Sequence, residues 1–249
     1  MINYLKSENY RVLRKKTIYV TTMACFFLII AAAIVLYISG EKDADFPYVT
    51  SLFFYSNVVS GGVLILIVAL LFNQSLTGKD LSLLKQSVSF GISRNTIFWS
   101  KLLLTLSYFL LICVIGLLLM VGLGENFFAN DEQSTRSFII ASINMLPVIL
   151  SGFFMIHVMK MLRFGDVYVI IIVLFVFTFS GTVFRVLFRP ISGLNELYKY
   201  TPSELLNENL INFMAQTVQL DFRFWVAGIF IALVILPIGV RKFAKQNID

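Results

Sequence analysis

Residues 73–101 read NQSLTGKDLSLLKQSVSFGISRNTIFWSK, a polar connection between two apolar runs that are each long enough to cross a membrane. It carries Lys79, Lys85, Arg94 and Lys101 against one acid, Asp80. Leu81, Leu84, Val88 and Ile92 recur at helical spacing and predict a short amphipathic helix. Gly91 offers a stop for that helix, and Ser93 or Asn95 a cap for the next one. A helix lying across a membrane face with an apolar stripe must bury that stripe, against lipid headgroups or against another protein.

Composition agrees with a membrane setting. Of 249 residues, 58% are hydrophobic and 14% charged, and Phe alone contributes 25. Soluble domains carry about 25% charged residues. The mean hydropathy of +0.85 points to a polytopic membrane protein. The length suits six spans with modest loops and leaves no room for a separate soluble domain. Cys25 and Cys113 both sit inside apolar runs and read as small apolar filler. Neither zinc-type spacing nor a disulfide framework is present.

Working outward, residues 1–16 combine Tyr4, Leu5, Val12 and Leu13 with Lys6, Arg11, Arg14, Lys15 and Lys16. They predict an amphipathic helix in the headgroup layer, its cations facing anionic lipid. The apolar run that follows is too long for a signal-peptide core and reads as a retained span. Spans are expected at 17–38, 52–72, 101–123, 138–159, 167–187 and 223–240, with Pro237 bending or ending the last. The expected fold is therefore all-α, a single transmembrane domain of six spans.

Orientation follows from the cations. With the N-terminus inside, the inner side holds Lys6, Arg11, Arg14, Lys15, Lys16, Lys79, Lys85, Arg94, Lys101, Lys160, Arg163, Arg241, Lys242 and Lys245. The outer side keeps Lys42, Arg136, Arg185, Arg189, Lys199 and Arg223. Acids run the other way, with only Glu8, Asp80, Asp166 and Asp249 inside. Both termini are thus expected in the cytoplasm. The bias also accounts for the basic patches without nucleic acid. The last outer loop, 188–222, is apolar in places, with Thr201 or Ser203 able to cap a helix that has Glu204 in its first turn.

Catalytic chemistry is missing from the sequence. There is no phosphate-cradling glycine loop, no zinc-protease helix and no nucleophile elbow. The lone histidine, His157, reads as a packing residue near the inner end of span four rather than a proton relay. Charges are scarce within the spans, against an ion-coupled transporter. The mild polar residues Asn57, Ser60, Asn144, Ser151 and Thr178, some beside Gly61, Gly62 and Gly152, fit close helix contacts first and a weakly polar substrate path second.

Two local patterns then resemble a family. Lys6, Glu8, Tyr10, Arg11 and Arg14–Lys15–Lys16 precede span one, and Phe90–Gly91–Ile92–Ser93–Arg94 with Lys101 precede span three. Together with the six-span pattern they resemble the permease subunits of type-2 ABC exporters. The resemblance implies a bacterial plasma-membrane protein working as a dimer, or with a similar permease, beside two copies of a separate ATPase subunit. Span one and the outer end of span five would be the contact faces between permeases. ATP and magnesium would sit on the ATPase, so the chain itself would hold no cofactor and catalyse nothing. The loop between spans two and three would carry the coupling helix, with Leu84, Lys85, Val88, Phe90, Gly91, Ile92 and Arg94 at the docking surface. Small Phe-rich permeases of this kind resemble those for lantibiotic self-immunity, bacitracin-type resistance and export of phenol-soluble modulins. The implied cargo is an amphipathic peptide. The alternatives are an exporter of lipid, polysaccharide or drug, and a non-transport assembly or sensor protein whose amphipathic segments lie on lipid.

Overall fold

A computed structural model describes residues 2–43, 45–77, 81–128, 131–191 and 193–246, without the side chains of Leu81 and Ser82. Lys79, Asp80 and Asp249 of the charge count lie outside the described residues, as does the Leu81 side chain of the apolar stripe. The described chain is all-helical, with no strand ladder among those residues.

Among the described residues, five helices are long and apolar enough to cross a membrane: α2 (Lys16–Lys42), α6 (Arg94–Phe127), α7 (Glu132–Met161), the composite Asp166–Phe188, and α11 (Phe222–Lys245). A short helix, α1 (Ile2–Leu13), precedes them. At 1.5 Å per residue even the composite reaches about 34 Å, enough for a hydrocarbon core of about 30 Å.

The second apolar run is not one straight helix. It comprises α3 (Ser51–Val59) and α4 (Gly62–Thr77), bent by 53° at the break. The break follows from local chemistry. Ser56 Oγ donates to Phe53 O and Asn57 Nδ2 to Phe53 O and Phe54 O, so side chains crowd the carbonyls of the preceding turn. Gly61 and Gly62 come next, where helix propensity is lowest short of proline.

Helix α7 is the axis of the bundle. Some 61% of its most apolar stretch is buried, against 17–28% for the other four long helices. Its small residues admit close neighbours. A Cβ on Gly152 would lie 2.5 Å from Leu66 Cδ2 of α4, and one on Gly228 of α11 only 2.4 Å from Pro147 O of α7. Aromatics fill the remainder, with Tyr55 stacked on Phe138 at 4.5 Å and Phe109 against Phe153 at 5.1 Å.

Three details depart from the sequence expectation. The 167–187 span carries a π-helical turn, Phe175–Phe179, between α8 (Asp166–Leu174) and α9 (Ser180–Phe188). Pro237 does not end α11, which runs on to Lys245; neighbouring helices in a bundle can absorb one lost hydrogen bond, and Lys242 and Lys245 suit its negative end. A helix does follow Thr201, α10 (Pro202–Met214), but hydroxyls do not cap it. Thr201 Oγ1 donates to Tyr198 O, and Ser203 Oγ instead accepts from Gly181 N of α9. The remaining described helices are α5 (Leu81–Ser89) and a 3₁₀ turn at Leu197–Tyr200.

Candidate functional site

One end of the bundle gathers α1, the last turn of α4, α5, the start of α6 and the end of α11. Helix α5 stops in a Schellman turn. Gly91 N donates to Val88 O and Ile92 N to Ser87 O, and Gly91 takes φ +80°, which a residue without Cβ adopts freely. The next residue but one, Ser93, caps α6 by accepting from Thr96 N. Both signals were legible in the sequence.

The stripe on α5 is not left open. Leu84, Val88 and Ile92 are half-buried against the protein's own core. Exposed residues on this helix and its tip include Leu83, Lys85 and, above all, Phe90, 76% exposed, next to Gly91, around whose Cα no atom lies within Cβ contact range. Between this tip and α1 lies an open cleft of ≈ 720 Å³, walled by Tyr4, Glu8 and Arg11 on one side and by Gln86, Phe90 and Thr96 on the other.

The cleft floor is a charged hub. Glu8, 2% exposed, is paired with Arg11 at 2.7 Å and with Lys101 Nζ at 3.4 Å. Lys101, 1% exposed, also donates to Leu76 O in the last turn of α4 at 2.6 Å. One ammonium thus joins α1, α4 and α6. Tyr4 faces Glu8 and, across the cleft, Ser87 of α5; burial first, and then the Glu8 carboxylate, raise its pKa well above the usual tyrosine range. Tyr108 OH donates to Asn9 Oδ1 at 2.7 Å. Glu8 and Lys101 were missed as site residues. The available signal was that Glu8 is the sole acid in residues 1–16 and that Lys101 opens an apolar run.

The other expected residues are distributed as follows. Lys6, Arg14 and Lys16 are exposed, while Arg11 and Lys15 are half-buried. Arg14 lies over the Tyr10 ring at 4.1 Å, and Ile2, Tyr10 and Leu13 leave an apolar flank on α1. Arg94 turns inward, donating to Ala244 O at 3.0 Å and to Gln246 O, so its guanidinium ties the end of α11 to the start of α6.

The five mild polar residues do not line one path within the chain. Asn57 and Ser60 are exposed and bonded to their own helix, and Ser151 is buried with Oγ on Val148 O. Asn144 is buried in a latch at the opposite end of the bundle, donating to Gln219 O at 2.8 Å and accepting from Asp221 N at 3.2 Å. Only Ser60 and Thr178 share a concavity, ≈ 340 Å³, closed by Ser203 and Asn207 of α10.

His157 is fully buried, with Nδ1 2.8 Å from Asn73 Oδ1 and its ring edge-on to Phe98 at 5.0 Å. Asn73 Nδ2 is spent on Ala69 O, which leaves Oδ1 as the acceptor and makes Nδ1 the donor. This is a packed core position. No group of three or more His, Cys, Asp or Glu able to hold a metal occurs among the described residues. No protein-family model matches the chain, and no curated protein or solved structure matches it.

Proposed function

We propose that this chain is the permease subunit of an ATP-driven exporter of the type-2 ABC kind, with α5 as the helix that docks a separate ATPase subunit. The observation that carries the reading is the Phe90–Gly91 tip. A large apolar side chain stands out at the polar end of the bundle, on a helix whose inner face packs against the core through Leu84, Val88 and Ile92. A lipid-surface helix would instead turn its apolar stripe outward. A push on the tip has a short mechanical route into α6, because the Ser93 cap of that helix follows Gly91 by two residues.

On this reading the bent pair α3–α4 counts as the sixth span and the basic end faces the bacterial cytoplasm with both termini. Helix α1 lies at the inner interface, and the segments around α10 cap the outer end. Two copies, or one with a similar permease, work with two ATPases that hold the ATP and magnesium. Few charges within the spans suit an amphipathic peptide as cargo, in export or self-immunity. The alternative of a membrane assembly or sensor protein keeps the same hub without an ATPase.

The test is co-expression with ATPases encoded beside the gene, purification on a tag carried by this chain, and ATP turnover in lipid. A co-purifying ATPase lost on Phe90→Asp, with thermal stability unchanged, is the expected outcome. An ATPase still bound to that variant sinks α5 as the docking helix, and no ATPase at all favours the alternative.

A further inference from the structure

We propose that a slot between α2, α4, α6 and α7 binds one acyl chain of a bilayer phospholipid. The slot holds ≈ 190 Å³ and is walled by Cys25 and Ile29 of α2, Val68 of α4, Cys113 and Gly116 of α6 and Ile149 of α7. Along α6 it runs from Phe109 to Met120, about 16 Å at 1.5 Å per residue, parallel to the spans and so to the acyl chains around them. Cys25, Cys113 and Gly116 remain partly accessible, so the slot opens sideways onto lipid. Towards the α1 end, Tyr108 is drawn onto Asn9; towards the other, Tyr37 meets Phe127 at 5.7 Å, closing the α2–α6 seam.

The chemistry of the lining selects the occupant. Its one hydroxyl, Ser142 Oγ, is buried without a hydrogen bond, and the other lining side chains are apolar or thiol. A peptide brings an N–H and a C=O with every residue, and one hydroxyl cannot satisfy them in a medium without water. Water gains too few partners to stay, since an apolar cavity of about 150 Å³ stays dry. Left empty, the walls forfeit dispersion contacts on that side. A hydrocarbon chain restores those contacts and needs no polar partner, and the surrounding bilayer supplies it. This inference does not rest on the transport reading.

The full chain, reconstituted in phosphatidylcholine vesicles doped with a phosphatidylcholine carrying a diazirine in its acyl chain, tests the site by photocrosslinking. Adducts should concentrate on slot residues such as Cys113 and Ile149, above exposed residues such as Phe27 and Leu118. A Cβ on Gly116 meets only Ile29 Cδ1, at 3.8 Å, so Gly116→Leu projects into the slot; Gly122, with nothing within 4 Å, supplies the control Gly122→Leu. Slot adducts should drop by about a factor of ten in Gly116→Leu and persist in Gly122→Leu. Cys25→Leu, entering from the opposite wall, should give the same loss and serves if Gly116→Leu does not fold. Adducts spread evenly over the exposed residues, or slot adducts unchanged in the folded filling variants, overturn the proposal.

Discussion

Glu8 and Lys101 carry opposite charges into a buried place, where Glu8 also meets Arg11 and Lys101 also meets Leu76 O. Breaking a buried pair by removing one partner costs about 3–5 kcal/mol when the other charge is left uncompensated, and less where it keeps another partner. Glu8→Leu should therefore lower the thermal stability of the purified protein. The double variant Glu8→Leu/Lys101→Met should lose less than the two single losses added together, although Leu76 O then lacks its donor. Simple additivity in thermal unfolding would show that the two groups are not coupled. The acid in residues 1–16 was visible in the sequence, but its partner, 93 residues away, was not. Asn144 shows the same limit. Its polarity within an apolar run was plain, yet whether it faced a path or latched residues 219 and 221 depended on where those residues arrive.

At the scale of elements, periodicity located the α5 helix and glycine its end, because both are local properties of the backbone. That the protein itself covers Leu84, Val88 and Ile92 was not local. It requires the core to reach under α5, and so transfers the interest from the stripe to the Phe90 tip. Small residues in spans were legible as contact points, and Gly228 states the case. With Pro147 O 2.4 Å from the position of a Cβ, α11 can approach α7 this closely only at a glycine. Gly228→Leu should part the two helices and cost about 1–3 kcal/mol or more, read as lost folded yield in detergent and a lower midpoint of thermal unfolding. A variant of wild-type stability would mean that the helices do not meet there. The π-helical turn in the Asp166–Phe188 span had no periodicity signal, although Thr178, Ser180 and Gly181 fall at its end.

For the whole molecule, the described cations of the expected inner side meet at one end. Lys101 reaches α1 and α4, Arg94 reaches the end of α11, and Lys160 pairs with Asp166 across the turn after α7. Residues near both termini, Asn9 and Gln246, are bonded into that same end. Tags fused to either terminus should accordingly be protected from external protease in intact cells and cleaved together in inverted vesicles. Cleavage of one tag alone would break the shared-face arrangement, and cleavage of both from outside would invert the orientation.

By itself the sequence determined the all-helical character, the presence of several long apolar helices, the asymmetry of charge, the stop at Gly91 and the cap at Ser93, because these depend on hydropathy, period and propensity over a few neighbouring residues. Tertiary structure alone decided which polar residues are used up inside. Glu8 closes on Lys101, Arg94 on the end of α11 and His157 on Asn73, leaving Phe90 as the exposed tip and an apolar slot beside the two cysteines. Those outcomes depend on contacts between residues far apart in the chain, and such contacts exist only once the helices have packed.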